Sequence, residues 1–283
     1  MAGEAAPPRK AFGSRELGLR VLSGCVLAAL VVSGLVLGGW AFAGIWLAAA
    51  IVGAGEWIGM SRTLPRRALL GVTAVTLAAL TICLEREVPV WVGLTILAGG
   101  AAVCLALPHD NPGRLRALGA LLGGAVIALV PPALRDAPEI GILGPAWMFA
   151  VVWSTDIVAY FTGRTFGGPK LMPAVSPKKT WSGAIGGLVG AVVAGTALVM
   201  LARQQGWSPL AETNLALVAL VSAVSSVLSQ AGDLLESALK RHYGVKDSGR
   251  SIPGHGGVMD RLDGFFAVAL LAGLFLVARR LAA

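Results

Sequence analysis

Nine apolar stretches of about 20 residues, separated by short polar segments, constrain this chain more than any other feature. They fall near 20–38, 40–58, 67–84, 89–107, 117–134, 142–162, 181–202, 213–232 and 264–282. A helix needs about 20 such residues to cross a bilayer's hydrocarbon. Only backbone that satisfies its own hydrogen bonds is stable there. The expected fold is an all-α integral membrane protein with about nine transmembrane helices. Charged residues make up 13% of the chain, against roughly 25% in a soluble domain. The first two and the fourth stretches show the clearest pattern. The fifth, ending at Pro131-Pro132, reads as short.

The basic residues orient this array. With the N-terminus in the cytoplasm, 18 of the 23 Lys and Arg residues fall on cytoplasmic segments. Arg86, Arg135, Arg203, Arg279 and Arg280 fall on the other face. That bias follows the positive-inside rule and requires an odd number of spans. The chain then divides into a cytoplasmic polar tail (1–19), N-terminal transmembrane helices (20–140) and a catalytic transmembrane region (141–283). The last carries two cytoplasmic loops, 163–180 and 233–263. The net charge of +8 reflects orientation and attraction to anionic headgroups. It does not point to nucleic acid. Cys25, Cys83 and Cys104 lie in apolar spans without metal or redox spacing, and read as small buried hydrophobes. Ala41-Phe42-Ala43 resembles a cleavage site, but the apolar stretch before it is too long for a signal peptide.

Chemistry concentrates after residue 150. Asp156 lies within an apolar span, four residues from Tyr160 and on the same helix face. It is either a buried interhelical partner or a contact for substrate or metal. Ser176, Lys178, Lys179 and Thr180 precede a helix N-terminus, where free amides and the dipole favour phosphate. Thr180 is a candidate N-cap. Gly183, Gly186, Gly187 and Gly190 allow close helix packing. Asp233 ends an apolar span and is a candidate metal ligand, and Glu236–Lys240 has salt-bridge spacing. Glu56, beside Trp57, reads as an interfacial residue.

The densest polar block runs from 237 to 263. It holds Ser237, Lys240, Arg241, Lys246, Asp247, Arg250 and Arg261, with His255-Gly256-Gly257 and Asp260 and Asp263. Glycines let backbone approach phosphates. Two carboxylates three residues apart, together with substrate phosphates, suit Mg²⁺. His255 either touches a nucleotide or orders the loop.

This block resembles the signature of the phosphatidate cytidylyltransferase (CDP-diacylglycerol synthase) family. Ser237, Lys240-Arg241, Lys246-Asp247, His255-Gly-Gly, Asp260-Arg261 and Asp263 meet its fixed positions. Asp156, Ala159-Tyr160, Gly163-Arg164, Ser176-Pro-Lys-Lys-Thr180 and the 232–237 segment match its other habitual pieces. The resemblance implies conversion of CTP and phosphatidic acid to CDP-diacylglycerol and diphosphate. It implies Mg²⁺, with room for a second cation, on Asp260, Asp263 and Asp233. Lys178, Lys179, Lys240, Arg241, Lys246 and Arg261 would clamp phosphates. Membrane lipids complete the expected partners, and a homodimer is left open. The expected place is a bacterial cytoplasmic membrane, with the site on its cytoplasmic face. A CTP-dependent polyprenol kinase would need similar chemistry but not the full 237–263 pattern. A secondary transporter for an anionic solute would usually carry internal repeats, and none is visible.

Overall fold

The computed structural model describes residues 14–206 and 212–282. Nine α-helices appear among the described residues. They are α1 Ser14–Leu37, α2 Gly39–Met60, α3 Arg66–Glu85, α4 Val90–Ala106, α5 Asn111–Asp136, α6 Leu143–Phe166, α7 Trp181–Gln205, α8 Leu215–His242 and α9 Met259–Ala282. Each apolar stretch falls on one helix. Six of them (α2, α3, α5, α7, α8 and α9) are long and apolar enough to cross a membrane.

Three expectations need correction. The fifth stretch is not short: α5 has 26 residues and contains Pro131 and Pro132 in its last two turns. It packs against α2, α3, α4, α6 and α9, so more of its apolar window is buried than in any other of the six spans. The fourth helix has only 17 residues. The chain is also not wholly helical, because β1 (Lys170–Met172) and β2 (Ser176–Thr180) form an antiparallel hairpin. Alternation over so few residues carries too little periodicity to be read.

Small residues set the helix spacing. On α2, Phe42, Trp46, Ala50, Ala54 and Ile58 recur every four residues, and all are buried. This single face meets Ala117, Leu121, Gly124 and Ala128 of α5. Helices α6 and α7 approach even more closely. A Cβ at Gly187 would lie 2.8 Å from the Thr155 carbonyl oxygen, and one at Gly183 would lie 2.9 Å from that of Ala159. The expected glycine packing is present, and it fixes the start of α7 against α6.

The cysteines divide. Cys104 is buried, Cys83 is partly buried and Cys25 is exposed. Cys25 belongs to α1, which packs mainly on α2 and leaves much of its own surface uncovered. Ala41–Phe42–Ala43 lies inside α2, with Phe42 and Ala43 in the core.

Candidate active site

The expected loops are shorter than the sequence suggested. Helix α8 continues to His242 and α9 begins at Met259, so only 243–258 is loop. Asp233, Glu236, Ser237, Lys240 and Arg241 therefore ride on α8. Its last turn holds Lys240, Arg241 and His242, cations that suit a helix C-terminus. Likewise α6 runs to Phe166, and the hairpin fills most of the remainder before α7. Thr180 caps α7, its Oγ1 accepting from Gly183 N at 3.2 Å.

Two buried carboxylates shape the 243–258 loop. Asp260 Oδ1 accepts from Lys240 Nζ at 2.7 Å. Its Oδ2 accepts from Ser248 N and Gly257 N, both at 2.9 Å. Glu56 of α2 reaches the same loop from the N-terminal half. It accepts from Val258 N at 3.0 Å, Met259 N at 2.9 Å and the Ser251 hydroxyl. Ser248 Oγ lies 3.1 Å from Glu56 Oε2 and 3.0 Å from Asp260 Oδ2. With one proton it serves either carboxylate. Gly256 has φ +87°, and a Cβ at Gly257 would lie 2.5 Å from Glu56 Oε2. These glycines make room for carboxylates, and the Gly257 amide is already engaged.

Glu56 is thus not an interfacial side chain. Its buried carboxylate (9% exposed) gathers four donors from a segment about 200 residues away. Its one sequence signal was a carboxylate close to the end of an otherwise apolar helix. Glu56→Ala should strand those donors, a cost of about 1–3 kcal/mol where they stay buried. Turnover is expected to fall about tenfold or more, with faster protease cleavage within 246–258. Wild-type values for both kcat and cleavage would remove Glu56 from this role.

A cavity of about 1530 Å³ opens beside the loop. Asp156, Lys178, Lys179, Thr180, Asp233, Lys240, Asp247, His255, Asp260, Arg261 and Asp263 line its polar end. Leu27, Leu30, Ile45, Val52, Phe149 and Trp153 line an apolar arm between α1, α2 and α6. Gly232 brings α8 against α9, since a Cβ there would lie 2.7 Å from the Asp263 carbonyl oxygen. That contact sets Asp233 beside Asp263. Lys179 forms an ion pair with Asp233. Lys240 bridges Glu236 at 3.0 Å and Asp260 at 2.7 Å, with its side chain 12% exposed. The expected Glu236–Lys240 pair is present, but Asp260 shares it. His255 Nδ1 lies 2.7 Å from Ser23 Oγ, tying the loop to α1.

Other expected contacts stand apart. Ser176, Ser237, Arg241, Lys246, Gly256 and Gly257 do not line the cavity. Arg241 and Lys246 are exposed, and Ser237 Oγ approaches Asp233 at 3.4 Å.

Asp156, Asp233 and Asp263 line one cavity closely enough for Asp263 to feel both others as like charges. Such oxygen donors suit Mg²⁺. No group of three or more His, Cys, Asp or Glu side chains among the described residues forms a ready-made metal cage. Mg²⁺ commonly takes one or two carboxylates and completes its shell with water and substrate phosphate. The set fits a cation that arrives with a nucleotide. Asp260 fits less well, because both its oxygens already have protein donors.

Fold and site together define a multi-pass helical membrane protein with a charged cleft at one end of an apolar cavity. The chain belongs to the Cytidylyltransferase family, whose pattern matches residues 18–278. It is 41% identical over 223 residues to the phosphatidate cytidylyltransferase of Brucella abortus biovar 1 (strain 9-941), covering 78% of each chain. The Staphylococcus epidermidis (strain ATCC 12228 / FDA PCI 1200) protein of that name is 33% identical over 207 residues, 71% of this chain and 77% of the relative. The one from Bacillus subtilis (strain 168) is 44% identical over 135 residues, 48% of each.

Proposed function

We propose that this protein is a phosphatidate cytidylyltransferase, joining CTP and phosphatidic acid into CDP-diacylglycerol with release of diphosphate. One observation carries the reading beyond family membership. A single cavity joins a cation- and carboxylate-lined end to an apolar arm, as a charged headgroup on acyl chains requires.

The lipid phosphate oxygen attacks the α-phosphorus of CTP, and the bond to the β-phosphate's bridging oxygen breaks. A phosphate monoester is already ionised, so no protein nucleophile is needed. Both substrates are anions, and the protein's task is to neutralise and align them. Lys178 and Arg261 line the cavity and enter no ion pair with a described residue. They are the cations placed to meet incoming phosphates. Lys179 exchanges its Asp233 partner for phosphate, leaving that carboxylate for a cation. Mg²⁺ held by Asp263 and Asp233, with Asp156 nearby, would neutralise the triphosphate. Lys240 and Asp260 hold the loop in register with these groups.

The site faces the cytoplasm, where CTP is made, and all nine helices cross the membrane. Thr165 and Arg250 are exposed and suit a labelling test; Ser248 is buried and does not. In a background with Cys25, Cys83 and Cys104 replaced, Thr165→Cys and Arg250→Cys should react only after permeabilisation. Labelling of either in intact cells by an impermeant maleimide would overturn the orientation.

The reaction is tested with purified protein, radiolabelled CTP, phosphatidic acid and Mg²⁺, resolved by thin-layer chromatography. A cytidine-bearing lipid is expected. A lipid phosphorylated from the γ-position instead would make the protein a CTP-dependent lipid kinase.

A further inference from the structure

The segment that joins α6 to α7 has two unlike sides. Arg164, Lys170, Leu171 and Lys178 line the cavity, whereas Phe166, Met172 and Trp181 do not. These three are nonetheless exposed, Phe166 at 74%. Their level relative to a bilayer follows from α7. Trp181, Ile185, Val189 and Val193 recur every four residues along it, and each is more than half exposed. On a helix apolar enough to span a membrane, such a stripe faces lipid. Trp181 ends the stripe, and tryptophan gathers where a bilayer meets water. Two hydrogen bonds hold the chain just after Phe166 at that height. Ser182 donates its hydroxyl to the Gly167 carbonyl, and Trp181 N donates to Pro169 O at 3.1 Å.

Cations stand at the same end. Arg164 and Lys170 are exposed and enter no ion pair with a described residue. Arg164 Nη1 donates to the Tyr160 hydroxyl at 3.1 Å, which holds the guanidinium on α6 without neutralising it. No Asp or Glu occurs between Asp156 and Glu212, so the segment itself offers no counter-charge. Uncompensated cations at headgroup level attract anionic lipid, and Arg pairs readily with phosphate oxygens.

We propose that residues 164–181 form a docking surface for anionic phospholipid. Phe166, Met172 and Trp181 seat it in the membrane interface. Arg164 and Lys170 hold a lipid phosphate at the cavity mouth, before Lys178 receives it. The occupant is a lipid rather than a soluble phosphate, because the cations stand beside exposed apolar groups that a soluble phosphate cannot cover. Docking is independent of catalysis. Its kinetic consequence, delivery of substrate, rests on the reading of the protein as an enzyme acting on phosphatidate.

The test reads lipid contact directly. Met172→Cys, in a background with Cys25, Cys83 and Cys104 replaced, carries a fluorophore in phosphatidylcholine vesicles. The quenchers are phosphatidylglycerol and phosphatidylcholine with the same nitroxide high on one acyl chain. Phosphatidylglycerol should quench at about fivefold lower mole fraction, the scale of one cation near a charged membrane surface. High salt should remove the difference. Arg164→Gln with Lys170→Gln should abolish it. In mixed micelles the same pair should raise KM for phosphatidate about fivefold, with kcat and KM for CTP unchanged. An unchanged KM for phosphatidate would overturn the delivery role. Equal quenching by both lipids with Arg164 and Lys170 in place would overturn the docking surface, whether or not the double variant folds. So would a label quenched by neither lipid, whether water or a second copy of the chain covers it. Loss of the preference on adding inorganic phosphate at constant ionic strength would make this a free-phosphate site and overturn it as well. A preference for phosphatidylglycerol in protein that made no cytidine-bearing lipid would support the docking surface and remove the functional reading alone.

Discussion

Asp263→Asn is expected to lower turnover by about 100-fold or more, the scale of removing a key electrostatic contact from an active site. Asp263 lies one turn into α9 at the polar end of the cavity and faces Asp233 and Asp156 as like charges. One of its oxygens takes only a local bond, from Gly264 N at 2.7 Å. An amide there retains the shape and loses the charge that draws a cation between α8 and α9. The loss should therefore be partly reversed at high Mg²⁺, with an unchanged melting profile. Activity within twofold of wild type at limiting Mg²⁺ would remove Asp263 from the cation site.

Asp260→Asn should cost a comparable factor by another route. Its oxygens anchor Lys240 and the amides of Ser248 and Gly257. An amide nitrogen turned towards either partner places a donor against a donor, and Lys240 loses part of its charge balance. Turnover should fall about 100-fold, and the 243–258 loop should become sensitive to protease. Added Mg²⁺ should restore nothing. The pair of variants thus separates a carboxylate that meets a cation from one that holds a loop. Rescue of Asp260→Asn by Mg²⁺, with a protected loop, would assign it to the metal after all.

Much of the molecule is legible in its sequence because the bilayer allows few solutions. Apolar runs locate the helices, and Gly183 and Gly187 announce where α7 meets α6. Thr180 shows its capping role by position alone. The resemblance, carried by the 237–263 block, leads to the family. What could not be read is how polar side chains pair. Asp260 and Asp263 have the same residue type, lie one turn apart and both line the cavity, yet both oxygens of Asp260 are taken by Lys240 and loop amides while Asp263 has only a local bond to Gly264 N. Spacing cannot separate them, because the difference lies in how 243–258 folds back. Glu56 escaped for the same reason: its partners are distant in sequence. Arg241 and Lys246 belong to the charged block but lie outside the cavity, since adjacency along a helix turn or loop does not fix direction.

The reach of Glu56 also bears on how the protein is made. Its four donors lie 192 to 203 residues later in the chain. During synthesis α2 enters the bilayer long before Val258 and Met259 leave the ribosome. For that interval a carboxylate destined for burial lacks these four donors. Assembly of the site is a late event in biogenesis, coincident with insertion of α9. A chain that ends before residue 259 lacks at least the Met259 donor, and its Glu56 carboxylate cannot be fully satisfied from the loop.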